Sequence, residues 1–414
     1  FFVLRLVSLG LFFVTTPFFI RQAGSEAYGK LTLLLILFNF VGYLDLGTGY
    51  TLHLRYTRAL ARNHNPGHRH MLLSRAASFY YFMFFAAAIP GLSLAAAVSS
   101  WLFGNADYTA HLRWVALALG FSLLDSFLSG ILRAHNRIYQ NNLALFLFDL
   151  FRNAALFLGA LTGGDLFLLI TVIVAGSFAR LLYTLYWAIK IEGRAHWLWP
   201  SIRFRDFWLN FSFGLPMLGT GALGILIHNI DKILVGKYIH LSGLGYYAIA
   251  ADVNTKAWFL VFAISSSLYT VLVRRKARNA TVRPLIVVSL LGIASVALFY
   301  YLPLSLWAEP ILSLWIDPQI ANQAAPLVSL HAVVSVLYLC TAVFYDLLRS
   351  QGQGRRLFFI YCFCFLLLLG LFQILPEKAG LAGYVWCYII LYATMLALML
   401  VALFWRRHPR TAPK

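Results

Sequence analysis

The chain is 414 residues long, 61% hydrophobic and only 11% charged, with a mean hydropathy of +0.77. Soluble domains carry about a quarter charged residues and disordered chains lack apolar mass, so this composition excludes both classes. The 33 Lys and Arg against 14 Asp and Glu, a formal +19, would suggest nucleic acid on a soluble chain, but their placement gives them another meaning.

A bilayer-spanning helix needs about 20 apolar residues. Segments of that length occupy 1–20, 31–52, 71–103, 112–133, 143–161 and 166–190. A second series follows at 211–235, 246–273, 285–307, 325–348, 357–375 and 380–404. The chain opens Phe-Phe-Val, with neither a basic n-region nor a small-residue cleavage site before the first run, so that run is read as an uncleaved spanning helix. An even number of spans puts both termini on one side. The connections after even-numbered spans, counted with the span ends that flank them and the tail, hold 23 cations, and those after odd-numbered spans, counted alike, hold 5. By the positive-inside rule both termini are cytoplasmic. The predicted architecture is an all-α integral membrane protein of about twelve helices. It has a six-helix bundle over 1–195, a linker over 196–206 and a second six-helix bundle over 207–414.

No connection is long enough for a soluble domain. The longest outside one runs over about 308–324, and a long inside one carries Asn65-Pro66-Gly67-His68-Arg69-His70, a turn signal in a basic loop. His64, His68 and His70 have the chemistry of metal ligands there, but a solvated basic loop is the preferred reading. Trp197-Leu198-Trp199-Pro200, between Lys190 and Asp206, suggests an interfacial amphipathic connector. Cys340, Cys362, Cys364 and Cys387 lie in apolar runs without zinc or disulfide spacing and read as small hydrophobes. Gly219-Thr-Gly221-Ala-Leu-Gly224 matches a dinucleotide fingerprint only in letters, because no strand precedes it. In a spanning helix such glycines permit close packing and bending near Pro216. There is no P-loop, catalytic triad or zinc motif, and no cofactor is expected beyond a coupling Na+ or H+.

Charges inside a bilayer are costly and normally face a cavity or one another. Five cations, Arg5, Arg152, Arg180, Lys232 and Lys256, fall within spans, together with Asp45, Asp125, Asp149, Asp231 and Asp252. Asp149 and Arg152 (i,i+3) and Asp252 and Lys256 (i,i+4) can pair on one helix face. Arg5 and Arg180 have no acidic neighbour on their own helix. Arg5 is near a helix end, where it can snorkel, whereas Arg180 lies deeper and is the leading candidate anion ligand. His228 and Asp231 share a face of the seventh span, with Lys232 turned aside, a suitable combination for a proton or sodium relay. Asp45 and Asp125 have no local partners, and His331 reads as a packed polar residue.

The two halves resemble each other. Arg21-Gln-Ala-Gly-Ser-Glu-Ala-Tyr28-Gly29 and Lys237-Tyr-Ile-His-Leu-Ser-Gly-Leu244-Gly245 each set a cation eight residues before a glycine, which suggests parallel repeats. Pro17-x-x-x-Arg21-x-x-Gly24-x-x-x-Tyr28-Gly29, followed by Leu44-Asp45-Leu46-Gly47-x-Gly49, resembles the start of the polysaccharide transporter family. These are Wzx-type O-antigen flippases of the multidrug/oligosaccharidyl-lipid/polysaccharide (MOP) superfamily. Asn229-Ile-Asp231-Lys232-x-x-x-Gly236 with Gly245-Tyr246-Tyr247 resembles the same family's seventh and eighth helices.

The resemblance implies two six-helix bundles around a central cavity opening to alternate sides of the bacterial inner membrane. It implies a flippase, not an enzyme, that moves undecaprenyl-diphosphate-linked oligosaccharide for O-antigen lipopolysaccharide or another surface polysaccharide. Arg180, Arg152, Arg5 and Lys256 would neutralise the diphosphate. Asp231, His228, Asp45, Asp149, Asp252 and Lys232 are the candidates for ion coupling and gating. A polysaccharide polymerase or chain-length protein is an expected partner, and nucleic acid is not. A MATE-like drug or cation exporter is the near alternative; a membrane glycosyltransferase or polymerase is the alternative from another class.

Overall fold

A computed structural model describes residues 2–39, 56, 59–60, 65–193, 195–201, 204–258, 272 and 281–404, and the predicted spans are helical over nearly all of the residues that fall among them. Among the described residues there is no strand, and eight helices are long and apolar enough to cross a membrane. The first six helices are α1 (Phe2–Asn39), α2 (Pro66–Ser93), α3 (Ala95–Phe103), α4 (Thr109–Ala134), α5 (Ile138–Leu161) and α6 (Leu166–Glu192). After a 3-10 turn at His196–Leu198 come α7 (Phe204–Tyr238), α8 (Leu241–Lys256) and α9 (Arg283–Val296). A π-helical turn at Ala297–Tyr301 leads into α10 (Leu302–Leu306), then α11 (Ala308–Trp315), α12 (Pro318–Ser350) and α13 (Gly354–Phe404).

Two helices each hold two predicted spans. α1 breaks at Gly24 (φ 83°, ψ 166°) and α13 at Gly380 (φ 55°, ψ −133°), both in conformations that a Cβ disfavours. Just past the second break, a Cβ on Gly383 would sit 2.4 Å from the Leu375 carbonyl oxygen, so the chain passes itself at a distance open only to glycine.

The fold corrects three local expectations. The segment read as a basic loop with a turn is the start of α2: the Asn65 side chain caps the Gly67 amide at 3.0 Å and Pro66 fills the first turn, where its missing N–H costs nothing. The outside connection at 308–324 is also largely helical, with Asp317 capping Gln319 at 2.8 Å to start α12. Trp197 is not interfacial. The 3-10 turn folds it over α2, where it is 0% exposed against Tyr80 and Phe127, while Trp199 is 77% exposed.

The chain divides into two compact units, Phe1–Gly221 and Ala222–Lys414, with the division inside α7 in its Gly219–Gly224 stretch. In the first unit α1 packs on α4 and α5, α2 on α4, and α6 on both α4 and α5. Lipid offers apolar side chains no less than a protein core does, so small residues and interhelical hydrogen bonds decide such contacts. A Cβ on Gly176 of α6 would lie 2.4 Å from the Phe151 Cβ of α5. In the second unit α12 is the central helix, contacted by α8, α9, α10, α11 and α13. The π turn lets the adjacent Tyr300 and Tyr301 both reach α8, their hydroxyls donating to the Val253 and Asn254 carbonyls at 2.8 and 3.0 Å.

Candidate functional site

In the first unit the buried charges of α4 and α6 find each other. Asp125 is 1% exposed and forms an ion pair with Arg180. The Thr184 hydroxyl donates to Asp125 Oδ1 at 2.8 Å, and Ser129 donates to Oδ2 at 3.4 Å. Thr184 lies one turn beyond Arg180, so α6 offers the carboxylate a cation and a hydroxyl from the same face. The Arg180 side chain stays 20% exposed, and its Nε has no hydrogen-bond partner. Asp125 and Arg180 each lack an acid–base neighbour on their own helix, and spacing along one helix could not pair them.

A second polar seam joins α1 to α5. Ser8 donates to Asp149 Oδ2 at 2.7 Å, and Arg152 stands 3.7 Å from Asp149 Oδ1, the i,i+3 pairing expected from the sequence. Thr15 donates to Asn153 at 2.9 Å. Arg5 lies on α1 beside this seam in sequence, but its side chain falls outside the described residues, as does Asp45. Asp252 and Lys256 are half-buried near the end of α8.

In the second unit His228, Asp231 and Lys232 of α7 do cluster, but not as the helical wheel suggested. The His228 ring meets the Tyr392 hydroxyl at 3.2 Å and packs against Trp258 and Tyr338, with centroids at 4.9 and 5.3 Å. Asp231 Oδ2 accepts from Tyr247 at 2.7 Å, while Lys232 turns back to within 3.8 Å of Oδ1 and donates to the His228 carbonyl at 3.2 Å. Carboxylate and imidazole are thus partnered by separate tyrosines. Asp231 Oδ1 has no hydrogen bond, nor has Nε2 of His331, whose ring lies edge-on to Tyr247 at 4.9 Å. His331 therefore belongs to this cluster, a role that a lone histidine in its own helix did not signal.

A third cluster, unforeseen from the sequence, lies at the basic end of the first unit. Glu192 closes α6, yet its side chain is only 2% exposed. Its Oε1 bonds His135 Nε2 at 2.7 Å and the Tyr56 hydroxyl, and Oε2 lies 3.5 Å from His70 Nε2. Burial, with the hydrogen-bonded Glu192 carboxylate, pushes the Tyr56 phenol above its ordinary range. His70 also packs against His196 at 4.4 Å between centroids, so it is no solvated loop residue; His68 is exposed, and His64 lies outside the described residues. Among the described residues no group of three or more His, Cys, Asp or Glu is arranged to hold a metal ion. A carboxylate in a sequence neighbourhood of cations was the one available signal for this cluster.

The chain matches the family described as polysaccharide biosynthesis protein over residues 1–274, and MatE over residues 216–373. No curated relative matches its sequence. It is similar in structure to an inward-facing multidrug resistance MATE family transporter of the MOP superfamily, at 13% identity and a TM-score of 0.78, covering 97% of this chain and 96% of that one. The lipid II flippase MurJ in an inward closed conformation gives 14% identity and a TM-score of 0.76 over 97% and 87% of the two chains. A MOP superfamily transporter from Pyrococcus furiosus, noted for reversed polarity of its binding pocket, gives 13% identity and a TM-score of 0.68 over 97% and 93%.

Proposed function

Because the chain belongs to the polysaccharide biosynthesis protein family, with the multi-pass fold of a MOP-superfamily transporter, we propose that it flips a lipid-linked oligosaccharide across the bacterial inner membrane. The substrate in this reading is an undecaprenyl-diphosphate-linked unit of O-antigen or another surface polysaccharide, moved by alternating access from the cytoplasmic to the outer leaflet. The charge asymmetry of the connections supports cytoplasmic termini in this reading. The observation that carries the reading is the polysaccharide match over well over half of the chain, on a fold shared with a flippase of lipid II.

The diphosphate is received by exchange of partners. In the resting protein Arg180 is neutralised by Asp125, which makes its burial tolerable. An incoming diphosphate offers the guanidinium a bidentate acceptor of greater charge. Asp125 keeps the Thr184 and Ser129 hydroxyls while Arg180 turns, so the carboxylate is not abandoned. Arg152 can leave Asp149, which keeps Ser8, in the same way. Arg5 completes the proposed anion-binding set of the first unit, and Lys256 is the candidate anion ligand of the second.

Asp231 supplies the coupling, with His228, Lys232 and His331 around it. Its Oδ1, which accepts no hydrogen bond and faces the Lys232 ammonium at 3.8 Å, is the proposed place for the coupling proton or sodium ion. The MATE-like exporter reading needs acidic groups bare to a cationic drug, and Asp125 is covered and neutralised instead. Proteoliposomes holding fluorescent undecaprenyl-diphosphate oligosaccharide test the function: protein-dependent exchange of the label between leaflets is expected. Transport of a cationic dye with no exchange of the lipid would transfer the assignment to the exporter.

A further inference from the structure

At the basic end of the first unit the turn between α4 and α5 is closed by its own hydrogen bonds. Asn136 is left-handed (φ 57°), and the Arg137 amide donates back to the Leu132 carbonyl at 2.8 Å, a Schellman closure that fixes Arg137 at the head of α5. Facing this turn, the last stretch of α6 carries Trp187 and Lys190, whose ammonium lies 4.8 Å from the Trp187 ring and 5.7 Å from that of Tyr186. Between turn and helix is a cavity of about 450 Å3 lined by His135, Asn136, Arg137, Trp187, Lys190 and Ile191.

Its lining holds two cations and no acid. Glu192 is close by in sequence but is committed to His135, His70 and Tyr56, and among the described residues no carboxylate pairs with Arg137 or Lys190. The cavity lining therefore carries a net positive charge. It also has an apolar approach. Phe178, Leu182 and Tyr186 are exposed and follow one another at i,i+4 along α6, and Lys190 is the next member of that line.

We propose that this cavity holds the phosphate headgroup of an anionic phospholipid, with an acyl chain lying along Phe178, Leu182 and Tyr186. Guanidinium and ammonium take the phosphodiester oxygens, and Trp187 sits at the headgroup level where its ring is both apolar and a donor. The apolar line distinguishes a lipid from free phosphate, which has no use for it. The site is separate from the Asp125–Arg180 pair, since Arg180 precedes Lys190 by ten residues, about 15 Å of helix. Its occupant is a resident of the bilayer and not the cargo.

Photolabelling of the whole protein in phosphatidylcholine nanodiscs tests this. A phosphatidylglycerol analogue with a photoreactive headgroup should label the peptides holding residues 135–137 and 187–191, and a phosphatidylcholine analogue should not. Arg137→Gln with Lys190→Gln removes both cations and lowers the preference roughly thirtyfold, while Lys190→Arg preserves it. Equal labelling by the two lipids overturns the proposal, and this comparison needs no variant. Unchanged labelling in a folded double variant also overturns it. Loss of labelling on adding inorganic phosphate, but not chloride of equal ionic strength, would make the site one for free phosphate and overturn the lipid assignment.

Discussion

Arg180→Met is the substitution that separates a structural ion pair from a substrate ligand. It removes the cation from a carboxylate that is 1% exposed and keeps only hydroxyl donors, Thr184 at 2.8 Å and Ser129 at 3.4 Å. Stranding one member of a buried pair costs about 3–5 kcal/mol, and the two retained hydroxyls hold this case near the lower end, about 3 kcal/mol. Asp125→Asn alone is milder, about 1–2 kcal/mol, because the guanidinium left behind is 20% exposed. The double variant, with an amide facing a thioether chain, returns to within about 1 kcal/mol of the wild type, as a buried pair replaced by neutral groups often does. Equilibrium unfolding in mixed micelles followed by tryptophan fluorescence reads these values. Translocation of the fluorescent lipid-linked sugar then divides the two roles. Asp125→Asn keeps transport, since Arg180 remains and is easier to recruit, and both variants lacking Arg180 lose it. A double variant that is stable and translocates at the wild-type rate would refute the reasoning and leave Arg180 as a strut.

Two further outcomes are expected. Asp231→Asn should leave passive exchange of the lipid intact but abolish its acceleration by an imposed pH gradient; a wild-type response to the gradient would remove Asp231 from coupling. Gly383→Ala drives a Cβ to 2.4 Å from the Leu375 carbonyl oxygen and should destabilise the protein by about 1–3 kcal/mol, so an unaltered unfolding midpoint would contradict the close approach after Gly380.

The helices were legible because their signal is additive. A run such as 112–133 or 325–348 outweighs its scattered polar residues, and both became single helices, α4 and α12. Periodicity also foresaw Asp149 with Arg152, which are neighbours on one helix face. It could not foresee Asp125 with Arg180, because their contact is made by the packing of α4 against α6. Trp197 failed for a related reason: a Trp beside a basic link looks interfacial until a three-residue turn folds it back. His331 and Glu192 were hidden alike, each acquiring its partners from other helices. The glycines marked breaks only where the backbone required them. Gly24 and Gly380 bend the chain, whereas Gly176 simply brings two helices close.

The π turn that follows α9 has a bearing on how the second unit moves. One additional residue in that turn aligns two successive tyrosines with two successive carbonyls near the end of α8, groups that a helix terminus in hydrocarbon would otherwise leave bare. Asn254 reinforces the join by donating to the Val328 carbonyl of α12 at 3.0 Å. The end of α8 is thus stitched to two neighbours by buried side-chain donors on backbone carbonyls. Sliding any one of the three past the others would strand carbonyls without water to receive them. Those three elements should consequently move as one block.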